Sequence, residues 1–235
     1  MGENFFSVIY YSFYIFEGNY IELIEAFKSY SKLIEENQKN LNRLFEPFGF
    51  THHASRELAR LLHNYATAWY SLKENTYAIN NKLKKNKELD VRNFEYEYKK
   101  KLEESLKDSF ENIFIADLRR YVQHKKMPVP TLHFRGNCSQ EKTLIAEKPV
   151  FDLEFKFEII SDDIRDFDWN SKIKKYLREN QSVPIIEIVE KHFLQMENFY
   201  LWIQFRDHQL HPSAQHDIKN ATFEEYKKMK LEGKI

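Results

Sequence analysis

Residues 58–83 read LARLLHNYATAWYSLKENTYAINNKL, and their periodicity decides the fold. Leu58, Leu62, Tyr65, Trp69, Leu72, Thr76, Ile79 and Leu83 step by four and three without a break. That is a heptad seam on one side of a long helix, and such a seam must pack on another helix. The polar, basic stretch from Asn80 to Lys87 predicts an end to this helix near a turn. A third helix is expected from about Asp90 to His124, with Val91, Phe94, Tyr98, Leu102, Leu106, Phe110 and Ile113 as its apolar stripe. The short gap between the two makes an antiparallel hairpin the natural arrangement. Upstream, Leu23, Ile24, Phe27, Ile34, Leu41 and Leu44 predict a first helix from Tyr20 to Phe45, stopped by Pro47 and Gly49.

The flanks are more varied. Phe5 to Phe16 is apolar and aromatic, but it lacks a basic leader and a small-residue cleavage site. It is also too short to span a bilayer, so a strand or short helix packed on the core is expected, with no membrane contact. At Met127-Pro128-Val129-Pro130 a helix cannot continue. Phe151, Leu153, Phe155, Phe157 and Ile159 then alternate with charged residues, the pattern of a half-buried strand. Thr131–Arg135 and Thr143–Ala146 are candidate partners, with Gly136-Asn137 as a turn. Helix returns from Trp169 to Arg178. Ser182 then reads as an N-cap with Pro184 in the first turn of a last long helix, which ends at His211-Pro212. The charged tail from Thr222 to Ile235 is expected to be weakly attached. The fold class is therefore mainly α: a bundle of long antiparallel helices in one domain, residues 1–235, with a small antiparallel β insertion at about 131–160.

Composition narrows the function. The chain has 235 residues, with 36 Lys+Arg against 36 Asp+Glu. A neutral surface does not attract nucleic acid through a global field, so any such contact belongs in a local cleft. Five glycines leave little for a phosphate-binding loop, and neither a metalloprotease His-Glu-x-x-His nor a nucleophile elbow is present. The single cysteine, Cys138, excludes an internal disulfide and fits a small buried residue in a reducing cytoplasm. No metal or cofactor is expected. His208, His211 and His216 surround a helix end without a diagnostic carboxylate, and His52-His53 read as capping or loop residues. The acidic cluster Asp162, Asp163, Asp166 and Asp168 has no calcium-loop pattern. Lys99 to Lys101 read as a solvated face.

Attention therefore falls on arginine–histidine pairs. Arg119-Arg120-Tyr121-Val122-Gln123-His124 ends the predicted third helix just before the prolines. Five residues of helix separate Arg119 and His124 by about 140°, so a loosened last turn would bring both to one cleft. Histidine moves protons near working pH. Arginine holds a phosphate and offsets charge on a phosphorane-like transition state. Together they suffice for metal-free cleavage of RNA. Two further pairs have comparable spacings, six residues between Arg56 and His63 and four between Arg206 and His211. Arg56 and His63 lie early in the second helix, where a solvated face is the plainer account. Arg206 and His211 end the last helix, with Asp207 beside the arginine. The helix-hairpin position and the Tyr-x-x-His-to-Pro context favour Arg119 and His124.

Leu-Arg-Arg-Tyr-Val-Gln-His followed by Met-Pro, on the two helices of residues 51–130, resembles the HEPN superfamily and its bacterial Arg-Asn-Tyr-x-x-His form. The resemblance implies a helical bundle, a homodimer with two motifs facing across one cleft, and a metal-independent endoribonuclease. Such enzymes belong to toxin–antitoxin or phage-defence systems. Carried over, Arg119 and His124 are the catalytic pair, RNA is the substrate, and an antitoxin or regulatory protein is a partner. Arg120 stands where the family commonly has Asn, Asp or His, and is expected to grip substrate phosphate instead. The alternative that the same resemblance carries is a non-catalytic module that binds nucleotide or protein.

Overall fold

The structure is a computed structural model that describes residues 5–36, 49–83, 89–128, 130–138, 151–211, 218 and 220–235. Its elements run α1 (Phe5–Glu36), α2 (Phe50–Leu83), α3 (Leu89–Leu102), a π turn (Glu103–Lys107), α4 (Phe110–His124), β1 (Thr131–Cys138), β2 (Phe151–Ile160), α5 (Ser161–Ile164), α6 (Ser171–Glu179), β3 (Ser182–Pro184), α7 (Ile185–Leu210) and α8 (Phe223–Leu231). The mainly helical class and the small antiparallel β insertion are both present.

The heptad seam of α2 behaves as its spacing predicts: all eight stepping residues are buried. They face α1 on one side, where Phe16 meets Tyr65 and Tyr30 meets Phe50. The falling number on one helix against the rising number on the other makes the pair antiparallel. Helix α7 runs antiparallel to α1, with Phe13 stacked on Tyr200 and Tyr20 stacked on Phe193, each at 3.8 Å between ring centres. The three helices enclose an aromatic centre in which His192 is fully buried. Its Nδ1 lies 2.6 Å from the Tyr65 hydroxyl, and Phe16 and Trp69 meet its ring edge-on. Burial pushes this imidazole down to about 3, so it is neutral in the folded protein.

Several boundaries differ from the sequence reading. Phe5–Phe16 is neither a strand nor a short helix. It is the first part of α1, whose Phe6, Ile9, Phe13 and Phe16 are buried. Part of the predicted end of that helix, residues 37–45, lies outside the described residues. The single third helix is instead two. The π turn inserts a widened turn after Leu102, and Ser109 starts α4 afresh by accepting a hydrogen bond from the Asn112 amide at 3.2 Å. Gly136-Asn137 is not a turn, for β1 continues through both to Cys138 and pairs with β2 in antiparallel register, Gly136 opposite Leu153. Thr143–Ala146 lies outside the described residues. Ser182 is no N-cap. It belongs to β3, which pairs with β2 through Val183 opposite Ile159, and Pro184 occupies the cap of α7 without a side-chain bond. The order of the sheet is β1-β2-β3. The tail is attached. Thr222 and Glu225 form a capping box, and Tyr226 is 1% exposed against Phe205.

Candidate functional site

The cleft that holds Arg119 lies between α2 and α4. Helix α4 presents Leu118, Arg119, Val122 and Gln123 to it, with Met127 beyond the helix end, and α2 answers with Leu62, His63, Ala66 and Thr67. Residues four apart on α2 share a face, and here two of them, Leu62 and Ala66, form the floor. The recess is small, about 30 Å³, and opens to solvent. The polar groups around the recess come from His63, Thr67, Arg119 and Gln123, an imidazole, a hydroxyl, a guanidinium and an amide.

Arg119 is held by stacking, not by a carboxylate. Its guanidinium carbon sits 3.6 Å from the centre of the Tyr70 ring, one turn along α2 from Ala66. The ring face attracts the cation and fixes its plane. Its Nε is buried and has no hydrogen-bond partner among the described residues. An arginine cannot shed its charge, so a donor left unmatched in a recess favours an anion that accepts from it.

The other predicted site residues are placed differently. His124 is exposed in the last turn of α4 and does not line the recess. The regular helix persists to His124, so the loosening that would have swung it towards Arg119 does not occur before that residue. Arg120 is already engaged. It pairs with Asp117 at 3.0 Å, donates to the backbone carbonyl of Asp168 and lies over Phe167, which ties α4 to the segment before α6. Of the pair Arg56 and His63, Arg56 is exposed and only the histidine reaches the cleft. Arg206 and His211 are occupied elsewhere. Arg206 pairs with Glu97 at 2.7 Å and donates to Gln209, while His211 Nδ1 lies 2.9 Å from the buried Asp207. That carboxylate also accepts from Tyr10, and together with burial it pushes the Tyr10 hydroxyl far above the usual phenol range.

Among the described residues, no group of three His, Cys, Asp or Glu side chains is placed to hold a metal ion; His216 lies outside them. His52 and His53 are exposed within the first turn of α2, inside the helix and not before it. Within the acidic cluster, Asp162 pairs with Arg165 and Asp168 with Lys174, each at 2.6 Å, and the lysine holds the Asp168 carboxyl below its ordinary value. Lys99 and Lys100 pair along their own helical face with Glu95 and Glu104. No described helix is long and apolar enough to cross a membrane.

Sequence reasoning did not bring His63 together with Arg119: the two are 56 positions apart, and His63 was read only with Arg56. In comparisons with known proteins, no protein family, curated protein or solved structure matches this chain.

Proposed function

We propose that this protein is a metal-independent endoribonuclease, the reaction class that the resemblance of Arg119 and His124 to the HEPN motif implies, with Arg119 as its phosphate-holding residue and, in place of His124, His63 as the proton carrier lining the same cleft. One observation carries the reading: a guanidinium stacked on Tyr70, with a buried and unmatched Nε, shares a recess with an exposed histidine. In the reaction the 2′-hydroxyl of RNA loses its proton to an imidazole, and its oxygen attacks the phosphorus. The bond from phosphorus to the 5′-oxygen breaks and that oxygen takes up a proton. The products are a 2′,3′-cyclic phosphate and a 5′-hydroxyl. Arg119 offsets the charge that grows on the non-bridging oxygens. Histidine is suited to both proton steps. A role in a toxin–antitoxin or phage-defence system, with a second copy of the chain and an antitoxin or regulatory protein as partners, follows from the same resemblance.

A second reading is a module that binds nucleotide or protein without cleaving it. It is favoured by the placement of His124 outside the recess and by the prior engagement of Arg120.

Cleavage of labelled RNAs of varied sequence, with chelator present, separates these. We expect Arg119→Ala and His63→Ala each to lower the single-turnover rate by at least about 100-fold, with the helical circular-dichroism spectrum unchanged. If His124→Ala abolishes cleavage and His63→Ala does not, the sequence motif and not the cleft defines the pair. Binding of RNA that depends on Arg119 without any cleavage establishes the second reading. Activity lost on chelation rules out the metal-free mechanism.

A further inference from the structure

A larger cavity lies further along α2 and α4 and shares no lining residue with the Arg119 recess. It opens between α2, α3, the π turn, α4 and α7, and holds about 220 Å³. Its walls are apolar and aromatic, chiefly Trp69, Tyr98, Leu106, Met196, Phe199 and Ile203. Concave sites with walls of this character are the usual form of small-molecule sites.

Two features make it more than a packing gap. Asn80 lines it and is 4% exposed, yet its Oδ1 is buried without a hydrogen-bond partner among the described residues. An amide oxygen withdrawn from water and left unmatched destabilises the fold, and such atoms are rare enough to demand a reason. The neighbouring Thr76 does not meet it, since its hydroxyl donates to the Leu72 carbonyl at 2.7 Å. The second feature is the π turn, which borders the cavity through Leu106. Its widened backbone is locked by Asn112, whose side-chain amide donates to the Leu106 carbonyl at 3.1 Å. Turns of this kind interrupt α-helices most often at functional sites. Here the interruption separates α3 from α4 and lets the two lie against different parts of α7.

We propose that this cavity binds a small aromatic molecule that carries a single N–H or O–H donor, the ring lying among Trp69, Tyr98 and Phe199 and the donor satisfying Asn80 Oδ1. The class follows from the chemistry of the walls. They offer aromatic faces for a flat ring, and two buried polar atoms of the lining residues lack a match among the described residues: the Asn80 amide oxygen, which can only accept, and the Tyr200 hydroxyl, which can donate or accept. This inference does not depend on the cleavage reading, because no lining residue of the cavity belongs to the Arg119 recess.

Indole and indene test it, being nearly the same shape with and without the N–H. Calorimetric titration of the full chain should show indole binding about tenfold more tightly than indene, the ratio expected when one buried acceptor is matched or left orphaned. Asn80→Leu should abolish that preference, and Ala116→Leu, which fills the α4 wall, should weaken both ligands. No binding of indole at millimolar concentration, equal binding of indene by the unaltered protein, or indole binding untouched by Ala116→Leu each overturns the proposal. The comparison of indole with indene on the unaltered chain stands even if Asn80→Leu fails to fold.

Discussion

Helix α2 carries two histidine environments on its flanks, and they are opposites. On the side of α1 and α7, His192 is sealed among Phe16, Tyr65 and Trp69, with no exposed surface. On the side of α4, His63 stands open to solvent at the rim of the recess that holds Arg119. The sealed imidazole is part of the packing: burial keeps it neutral through the whole range in which histidine ordinarily titrates. A group in that state moves no protons at working pH. The open one has access to solvent and lines the same recess as the Arg119 guanidinium. The lesson is that a histidine in a helical bundle is read by what covers it, and that histidines of both kinds can flank one helix, His63 from α2 itself and His192 from α7.

The comparison breaks most sharply on stability. Phe16 is fully buried and touches Tyr65, His192 and Phe193. Phe16→Ala should destabilise the protein by about 3–5 kcal/mol through lost burial and a residual cavity. Arg119→Ala removes a stacked but half-exposed side chain and should change stability by no more than about 1 kcal/mol. Urea unfolding of both variants tests this. Equal losses would mean that the recess is as much a part of the core as the aromatic centre is.

The next effect depends on pH. His192 is depressed to about 3 in the folded state against 6.5 for an ordinary histidine. Above pH 6.5 both folded and unfolded chains hold it neutral, and it contributes no pH dependence. Below 6.5 the unfolded chain takes up a proton that the folded chain refuses. Stability should then fall by up to about 1.4 kcal/mol per pH unit, until the folded pKa is reached near pH 3. His192→Leu should remove that part of the slope. If the variant and the unaltered protein lose stability in parallel between pH 6 and 4, the imidazole is not sealed.

How much of this was readable beforehand follows from how local each signal is. The seam of α2 needed only neighbours three and four residues away, and all eight of its residues are buried. The break between α3 and α4 was hidden because the apolar stripe runs on through Leu106 and Phe110. A π turn holds an extra residue per turn and so shifts the helical face without interrupting the hydrophobic pattern. The local clue was Ser109, a capping residue in mid-stripe. Thr222 and Glu225 spelled a capping box in the tail, but the charge around them suggested solvent, and the burial of Tyr226 is a tertiary fact. The Arg119 recess was half legible. Arginine at the end of a helical hairpin drew attention for its chemistry. Its stacking partner Tyr70 and its neighbour His63 depend on the rotation of α4 against α2, which no spacing within either helix specifies.

The smallest expected effect tests how the recess holds its cation. Tyr70 is half-buried, and its ring is the surface on which the Arg119 guanidinium lies. A cation–π contact at such a site contributes about 0.5–1 kcal/mol, so Tyr70→Leu should weaken RNA binding only about threefold, while Tyr70→Phe keeps the ring and should leave it unchanged. The ordering of the two variants carries the argument, since loss of the phenol hydroxyl and loss of the aromatic face are then separated. Should Tyr70→Phe weaken binding as much as Tyr70→Leu, the hydroxyl and not the ring is what matters. Should neither change it while Arg119→Ala abolishes it, the recess holds its guanidinium by the walls of α4 alone. The α2 flank would then contribute His63 and little else.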